Sequence, residues 1–442
     1  MPEDAAPGSV RNGAGWSLRQ VLERITVGDS TDLDDAQIAG NAVPVEDSMG
    51  LDDGVQANTS QPALNLPDPA DGGPGYERAP EKWNTGLADR QREAPRDIPE
   101  NPVYGALDLG TNNCRLLLAR PTRRGFRVID AFSRIIRLGE GVAQSGRLSD
   151  AAMKRTFEAL RVCAGKIERN DVHRAQLVAT EACRIAVNGI DFLDGVRDRL
   201  GLEIDILTAE TEARLAVAGC ASLIDTRCDF VLVFDIGGGS SELIWLDLNL
   251  LQSRTVRTLD RLDAQTCMAA WTSLPVGVVT LAEHFGGKFV TEKLFEAMVD
   301  YVLEMLEPFE REHRFGARIA SRSTHFLGTS GTVTTVAGIQ LGLPRYDRNK
   351  VDGCWLSVSD AQAVTYELVA QTYEERIAQP CIGRDRADLV LAGCAILEAL
   401  IRMWPCERMR VADRGLREGI LATLMIEDGV YRARRRPGRR RR

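Results

Sequence analysis

Two stretches of the chain place an aspartate and glycines directly after an apolar run. Asp235-Ile-Gly-Gly-Gly follows Phe230–Phe234, and Asp108-Leu-Gly-Thr-Asn follows Val103–Leu107. Glycine turns expose backbone N–H groups that can bind phosphate oxygens without obstruction by side chains. An aspartate at the end of the strand can hold Mg²⁺, directly or through its water molecules. The pair of turns therefore predicts a phosphate site that contains a magnesium ion.

The residues predicted to bind phosphate lie in these two turns and in a third glycine-rich loop. The third loop follows the short apolar run His325–Leu327 and opens a helix, whose N-terminal amides favour anions. The predicted set is Gly110, Thr111, Asn112, Asn113, Gly237, Gly238, Gly239, Ser240, Ser241, Gly328, Thr329, Ser330 and Gly331.

Strands and helices that would position these turns alternate along the chain. Each aspartate ends one predicted strand, and a second apolar strand follows each turn, as in Arg115–Arg120. Ser149 is expected to cap a helix whose apolar residues recur at helical spacing. The two strand–turn–strand units are 127 residues apart. This pattern predicts an α/β fold with two similar domains that face each other.

Composition places the chain among globular proteins, with 44% hydrophobic residues, 27% charged residues and a net charge of -8. Residues 1–100 carry 19 acidic and 8 basic side chains, and the last 13 residues include eight arginines. We predict a disordered acidic region at 1–100, domains at 101–226 and 227–428, and a basic disordered tail at 429–442. We expect a transient helix at Trp16–Ile25, with a short docking helix as the alternative.

Nothing in the sequence suggests a secretory signal, a membrane span, a zinc site or a disulfide framework. The ten cysteines are scattered and the four histidines lie at no metal-binding spacing. A reducing cytoplasm is therefore the expected compartment. We expect the arginine tail to be a solvated segment, with attraction of polyphosphate or nucleic acid as the alternative.

Nine segments, in order, resemble the exopolyphosphatase/guanosine pentaphosphate phosphohydrolase (Ppx/GppA) family. They cover about Tyr104 to Leu424 and read ALDLGTNNCRLLLAR, IIRLGEGV, VATEACRIAVNG, ILTAETEARLAVAGC, VFDIGGGSSELIW, LPVGVVTLAEHF, GTSGTVTTVAG, DRADLVLAGCAIL and GLREGIL. The resemblance implies the acetate and sugar kinase/Hsp70/actin superfold. Its fold class is α/β, with two duplicated ribonuclease H-like (actin-like ATPase) domains and a cleft between them.

The resemblance also implies roles for individual residues. Glu212, in ETEAR, matches the family's general base, and Glu242 matches a glutamate that helps to hold the metal or the water. Arg184 matches an arginine that points at phosphate, so Glu212, Glu242 and Arg184 form the predicted catalytic set. Asp108, Asp235 and Glu242 form the predicted metal set. Asn113 departs from the family, which usually has a serine there.

The position of Glu212 predicts its charge state and leaves alternatives for two of the catalytic residues. Thr208 is a possible cap for the helix that contains Glu212, and the helix dipole is expected to keep this carboxylate ionised. The alternatives are a solvated helix-end glutamate for Glu212 and a structural ion pair for Arg184.

The expected activity is Mg²⁺-dependent release of terminal phosphate from inorganic polyphosphate. The alternative substrate is guanosine pentaphosphate, pppGpp. The sequence favours polyphosphate because the chain stops at the two-domain core, whereas longer family members add a helical domain. Two further hypotheses are a kinase or ATPase of the superfold, and a regulator that binds alarmone or polyphosphate without turnover. We also expect no membrane partner, no nucleic acid, and a homodimer.

Overall fold

The structure is a computed structural model. The residues that it describes are 98–123, 125–251, 261–321 and 323–430. The predicted helix at Trp16–Ile25, almost all of the acidic region and nearly all of the arginine tail lie outside these residues. Within the described ranges, no helix combines the length and the apolar character needed to cross a bilayer.

Five strands form the first sheet. They are β1 (Tyr104–Leu109), β2 (Asn113–Thr122), β3 (Gly125–Ile135), β4 (Arg174–Ala179) and β5 (Asp205–Ile206). Their spatial order is β3-β2-β1-β4-β5, and β1 runs antiparallel to β2 and parallel to β4. The helices of this half are α1 (Val142–Ser145), α2 (Asp150–Arg169), α3 (Glu181–Ile185), α4 (Gly189–Leu200) and α5 (Ala209–Cys220). Ser149 caps α2 as predicted, because its hydroxyl accepts from the Ala152 N–H at 3.2 Å.

Six strands form the second sheet. They are β6 (Phe230–Ile236), β7 (Ser241–Asp247), β8 (Met268–Leu274), β9 (Thr324–Thr329), β10 (Trp355–Ser357) and β11 (Arg408–Ala412). The helices that follow in the chain are α6 (Arg261–Thr266), α7 (Val278–Phe285), α8 (Glu292–His313), α9 (Phe315–Ser321), α10 (Ser330–Gln340), α11 (Arg348–Val351), α12 (Val358–Ala370), α13 (Tyr373–Ala378), α14 (Val390–Met403) and α15 (Leu416–Glu427).

The two sheets repeat one topology. The order of the second sheet is β10-β11-β9-β6-β7-β8, with β6 antiparallel to β7 and parallel to β9. β6 therefore stands to β7, β8 and β9 as β1 stands to β2, β3 and β4. This confirms the predicted duplicated α/β architecture. In both halves the central strand ends at the edge where the predicted phosphate turn begins.

Strand β6 is buried on both faces, which explains its unbroken apolar sequence. Phe230, Leu232 and Phe234 pack into the large core of the second half, and Val231 and Val233 pack against a separate cluster on the other face. A strand covered in this way is rigid, so the turn that follows it is held in a fixed position.

Two helices cross between the halves. α5 packs Ala213 and Val217 against the second sheet, whereas α15 packs Ile420 and Leu421 against the first. The predicted second domain includes α15, so its last helix lies on the sheet of the first half. The boundary between residues 226 and 227 stays a prediction.

Candidate active site

A cavity of about 160 Å³ lies between the two halves, at the ends of β1 and β6. Fifteen of the predicted site residues line it. They are Asp108, Gly110, Thr111, Asn112, Asn113, Glu212, Asp235, Gly237, Gly238, Gly239, Ser240, Glu242, Thr329, Ser330 and Gly331. The fold thus brings all three predicted loops and all three predicted metal ligands to one place.

Three predicted site residues are not among the described residues that line this cavity. The Ser241 hydroxyl donates to the Val276 carbonyl at 2.7 Å, which satisfies it inside the core. Gly328 lies within β9, where an added Cβ would come 2.6 Å from the Phe234 ring. Gly328 therefore serves packing, because the ring needs the space that a side chain would take. Arg184 is engaged with carboxylates, as described below.

The first two loops have the same backbone turn. The Gly110 N–H donates to the Asn113 carbonyl at 2.9 Å, and the Gly237 N–H donates to the Ser240 carbonyl at 2.9 Å. The equivalence extends the duplication from the sheets to single hydrogen bonds. It also places corresponding N–H groups of both loops at the cavity.

The glycines of the second loop also allow the two loops to touch. A Cβ at Gly238 would lie 2.9 Å from the Thr111 Cβ and 3.1 Å from the Asn112 nitrogen, and one at Gly239 would lie 2.8 Å from the Thr111 hydroxyl. Side chains at these positions would push the halves apart. In addition, the N–H groups of Gly238 and Gly239 donate to no other described residue, so they remain available to an anion.

Four carboxylates face one another in the cavity, those of Asp108, Glu212, Asp235 and Glu242. Glu242 is 2% exposed, and its Oε1 accepts from the Ser240 and Ser273 hydroxyls at 2.7 and 2.9 Å. Burial, followed by repulsion from Asp235, raises the pKa of Glu242 to about 7. Burial also raises the pKa of Asp235 to about 6 and raises the pKa of Asp108 above its usual range.

Glu212 lies in the first turn of α5. Its helix has the predicted cap, since the Thr208 hydroxyl accepts from the Thr211 N–H at 3.2 Å. The surroundings of this carboxylate oppose the ionised state that the helix dipole predicts. Burial, with repulsion from Glu242 second, raises the pKa of Glu212 well above its usual range. A dipole contribution of about 0.3–1 kcal/mol is too small to offset these effects. Ionisation of Glu212 therefore depends on positive charge nearby.

Arg184 supplies part of that positive charge. Its Nη1 donates to the Glu212 Oε2 at 3.2 Å and to the Leu207 carbonyl at 2.7 Å, and its Nε donates to Glu181 at 3.0 Å. The bond to Glu212 holds its carboxylate in place, and the charge of Arg184 lowers the pKa of Glu212. Arg184 does not line the cavity, and its partners are the carboxylates of Glu181 and Glu212 and the Leu207 carbonyl, as in the structural ion-pair alternative.

Three arginines that the sequence reasoning did not identify line the cavity: Arg115, Arg386 and Arg417. None of their side chains makes a hydrogen bond or ion pair with another of the described residues. The duplication contains the signal for Arg115. In the strand register, Arg115 lies opposite Asp108, as Glu242 lies opposite Asp235 in the other hairpin. One half therefore offers a cation at the position where the other offers a carboxylate.

The segment that opens α15 contributes further charged groups. Asp413, Arg414 and Glu418 line the cavity. Arg414 forms an ion pair with Asp352. Glu418 accepts from the Gly415 N–H at 3.0 Å, and Arg348 donates to it at 2.7 Å. Glu418 is thus a satisfied, charged cap of α15.

Ser330 takes an unusual backbone conformation in the third loop. Its φ is 79°, in the left-handed region that a serine rarely adopts. The side chain of Ser330 is hydrogen-bonded to Asp235, and this bond lowers the pKa of that carboxyl. Because strained residues of this kind cluster at functional sites, the strain itself supports assignment of this cavity as the site.

The carboxylates are suited to a hard cation that also binds phosphate. Mg²⁺ is usually held by one or two carboxylates together with phosphate oxygens and water. Among the described residues, no three His, Cys, Asp or Glu side chains form a cluster that would hold a metal alone. Asp108, Asp235 and the Oε2 of Glu242 are the oxygens that could hold such a cation together with a phosphate, and this metal set stays a prediction.

Comparison with known proteins agrees with this architecture. The model of the Ppx/GppA phosphatase family matches residues 117–427. A guanosine-5'-triphosphate,3'-diphosphate pyrophosphatase of Photobacterium profundum is 29% identical over 329 residues, which are 74% of this chain and 60% of that protein. The chain thus spans about 60% of the length of this curated relative.

Solved structures give the same result. The Aquifex aeolicus member of the Ppx/GppA family is 27% identical, with a TM-score of 0.58 over 74% of this chain and 99% of that one. An exopolyphosphatase-like protein is 28% identical, with a TM-score of 0.63 over 74% and 98% of the two chains. The family match covers well over half of the sequence, so this chain belongs to the Ppx/GppA phosphatase family.

Proposed function

We propose that this chain hydrolyses a terminal phosphoanhydride bond. The observation that carries the proposal is the placement of Glu212, which Arg184 holds at the wall of a cavity formed by both glycine loops. Phosphoryl transfer requires mainly positioning and neutralisation of charge, and the loop N–H groups with Arg115, Arg386 and Arg417 offer both.

In the proposed reaction, Glu212 accepts a proton from water as the water oxygen bonds to the terminal phosphorus. The bond from that phosphorus to the bridging oxygen breaks, and the shortened phosphate chain leaves with the bridging oxygen. The N–H groups of Gly238 and Gly239 hold oxygens of the transferred group. Mg²⁺, held by Asp108, Asp235 and Glu242, would neutralise phosphate charge in this site.

Two substrates fit this chemistry, inorganic polyphosphate and pppGpp. One wall of the cavity is apolar, formed by Val278, Ile382, Leu389 and Val390. Bare polyphosphate has no apolar part to place there, whereas a nucleotide has a base and a sugar. The name of the Photobacterium profundum relative supports the same choice. We therefore propose pppGpp as the preferred substrate, although the sequence favours polyphosphate.

The test is phosphate release from pppGpp and from long-chain polyphosphate, measured side by side with Mg²⁺. We expect a higher kcat/KM for pppGpp. A higher kcat/KM for polyphosphate would reverse the choice of substrate and leave the reaction class intact. Tight binding of either compound without any phosphate release would instead indicate the non-catalytic regulator.

A further inference from the structure

An ion pair joins the two halves across the cleft. The Arg137 guanidinium donates to Asp388 through both Nη atoms, at 2.8 Å to Oδ2 and 3.0 Å to Oδ1. A second bond between the halves runs from the Gly141 N–H to the Glu283 Oε1 at 2.8 Å. Arg137 and Asp388 line a second cavity, of about 410 Å³, which shares Asn112 and Leu389 with the active-site cavity. The ion pair therefore lies next to the site.

The backbone around Arg137 holds the first glycine loop. The N–H groups of Ile136 and Arg137 both donate to the Asn112 carbonyl, at 2.9 and 3.1 Å, and the Gly139 N–H donates to the Thr111 carbonyl at 2.9 Å. Arg137 has a φ of 48°, which is uncommon for a residue with a long side chain. Its backbone thus binds one loop while its side chain reaches the opposite half.

In the second half, Asp388 lies beside residues that line the active-site cavity. It directly precedes Leu389 and Val390, which form part of the apolar wall of the active-site cavity. Its carbonyl also fits against Gly287, where a Cβ would come within 1.9 Å of the oxygen. Asp388 is therefore fixed to elements that shape the site.

Two buried acceptors at this edge line the second cavity. They are the Oδ1 of Asn112 and the Oε2 of Glu283, neither of which accepts a hydrogen bond from any described residue. The Arg137–Asp388 pair is a favourable interaction between the halves at this same edge.

We propose that Arg137 is a positioning residue, whose ion pair with Asp388 holds the two glycine loops together so that the substrate meets both at once. The proposal rests on the proposed function of the cavity. It predicts a specific kinetic effect, since weakening the pair lowers the fraction of molecules with a complete site. The apparent affinity falls by that fraction, while substrate at saturation restores closure.

The first experiment measures the kinetics of two single variants of the full chain, Arg137→Gln and Asp388→Asn. We expect KM to rise about tenfold, with kcat within about twofold of the original value. The combination Arg137→Asp with Asp388→Arg should recover part of the lost affinity, because it restores opposite charges across the cleft. Loss of kcat at unchanged KM, together with a lower Tm, would show a merely structural role and overturn the proposal.

The matched control is Lys166→Gln. Lys166 pairs with Asp130 at 2.7 Å, wholly within the first half, and its side chain and that of Asp130 are 20% and 27% exposed. The corresponding exposures of Arg137 and Asp388 are 32% and 16%. Lys166→Gln should therefore remove an ion pair of similar exposure while leaving KM unchanged. An equal rise of KM in this control would overturn the proposal.

The second experiment does not depend on turnover. Amide hydrogen exchange without substrate should be faster in Arg137→Gln than in the unmodified protein for peptides that contain residues 110–113 and 237–240. Lys166→Gln should leave these peptides unchanged. Unchanged exchange in Arg137→Gln would overturn the proposal even if the chain is active. If no substrate is hydrolysed, the proposed function fails, and the exchange result still decides whether the ion pair holds the loops.

Discussion

At the scale of single residues, the site is a balance between crowded carboxylates and the cations that face them. Asp235 and Glu242 have raised pKa values of about 6 and about 7, and the pKa of Glu212 is raised by burial and by Glu242. Arg184 acts in the opposite direction through its bond to Glu212. Glu212, the proposed base, therefore needs neighbouring positive charge to stay ionised.

Glu212→Gln should abolish hydrolysis while substrate binding is retained. Glutamine keeps the size of the side chain but accepts no proton, so kcat should fall by roughly 100-fold or more. The control is Glu210→Gln in the same turn of α5, where Glu210 pairs with Arg214 at 2.8 Å and is 43% exposed. Phosphate release and substrate binding should be measured for both variants. Unchanged turnover in Glu212→Gln would reject its assignment as the base.

At the scale of elements, the crossing of α5 and α15 connects the two halves. A Cβ at Gly419 would lie 2.0 Å from the Leu215 carbonyl oxygen, and one at Gly219 would lie 2.0 Å from the Gly415 carbonyl oxygen. The two helices thus approach each other through glycines on both sides. Because α15 begins at the cavity, any shift at this crossing also moves Arg417 and Glu418.

Gly419→Ala should lower the free energy of unfolding by about 2 kcal/mol or more, because the added methyl overpacks the helix crossing. Gly165→Ala in α2 is the matched control, since nothing lies within 4 Å of its Cβ position. That change should raise the free energy of unfolding by about 0.5–1 kcal/mol, as expected for alanine in a helix interior. Urea denaturation measures both. Equal effects of the two substitutions would contradict the close crossing.

Strand β9, which lies between β11 and β6, contains a buried histidine that makes the fold sensitive to acid. His325 is 1% exposed, and its Nε2 accepts from the Asp225 N–H at 3.1 Å. Its Nδ1 lies 3.0 Å from the Phe326 carbonyl, so the proton belongs on Nδ1. Burial, although opposed by Asp225, lowers the pKa of His325 to about 4. Protonation would turn Nε2 into a donor that faces another donor.

Stability from neutral His325 should therefore be complete above about pH 6.5 and decrease as the pH falls toward 4. The unfolded chain binds the proton near pH 6.5, whereas the folded chain resists it, and the difference is worth roughly 3 kcal/mol at most. The measurement is urea denaturation at pH 7.5 and pH 5 for the unmodified chain and His325→Gln. The variant should show a smaller loss between these pH values. Identical losses in both proteins would contradict the assignment.

At the scale of the whole molecule, bound cations should stabilise the closed protein. Mg²⁺ that binds only the folded state adds stability by mass action, and about 1 kcal/mol corresponds to a rise in Tm of a few degrees. Asp108→Asn with Asp235→Asn should remove this rise, because two of the proposed ligands are lost. Thermal unfolding with MgCl₂ and with NaCl at equal ionic strength measures the effect. An equal rise in the double variant would place the cation elsewhere.

Local patterns in the sequence determined the duplicated strands, the two aspartate–glycine turns and the capped helix of Glu212. These features depend on residues close together in the chain, where periodicity, turn chemistry and capping act directly. The register of the hairpins was also encoded, since Arg115 and Glu242 occupy equivalent places opposite the two aspartates.

Only the tertiary structure decided what these features face. Gly238 contacts Asn112, and Arg137 binds Asp388, although these partners are far apart in sequence. Arg184 pairs with Glu212 and does not line the cavity, and Gly328 serves the core, because neighbouring side chains compete for the same space and charge. Distances across the cleft follow from how α5 and α15 pack, which no local pattern encodes. For the same reason, the raised pKa of Glu212 reflects burial by the whole fold, which the local sequence does not encode.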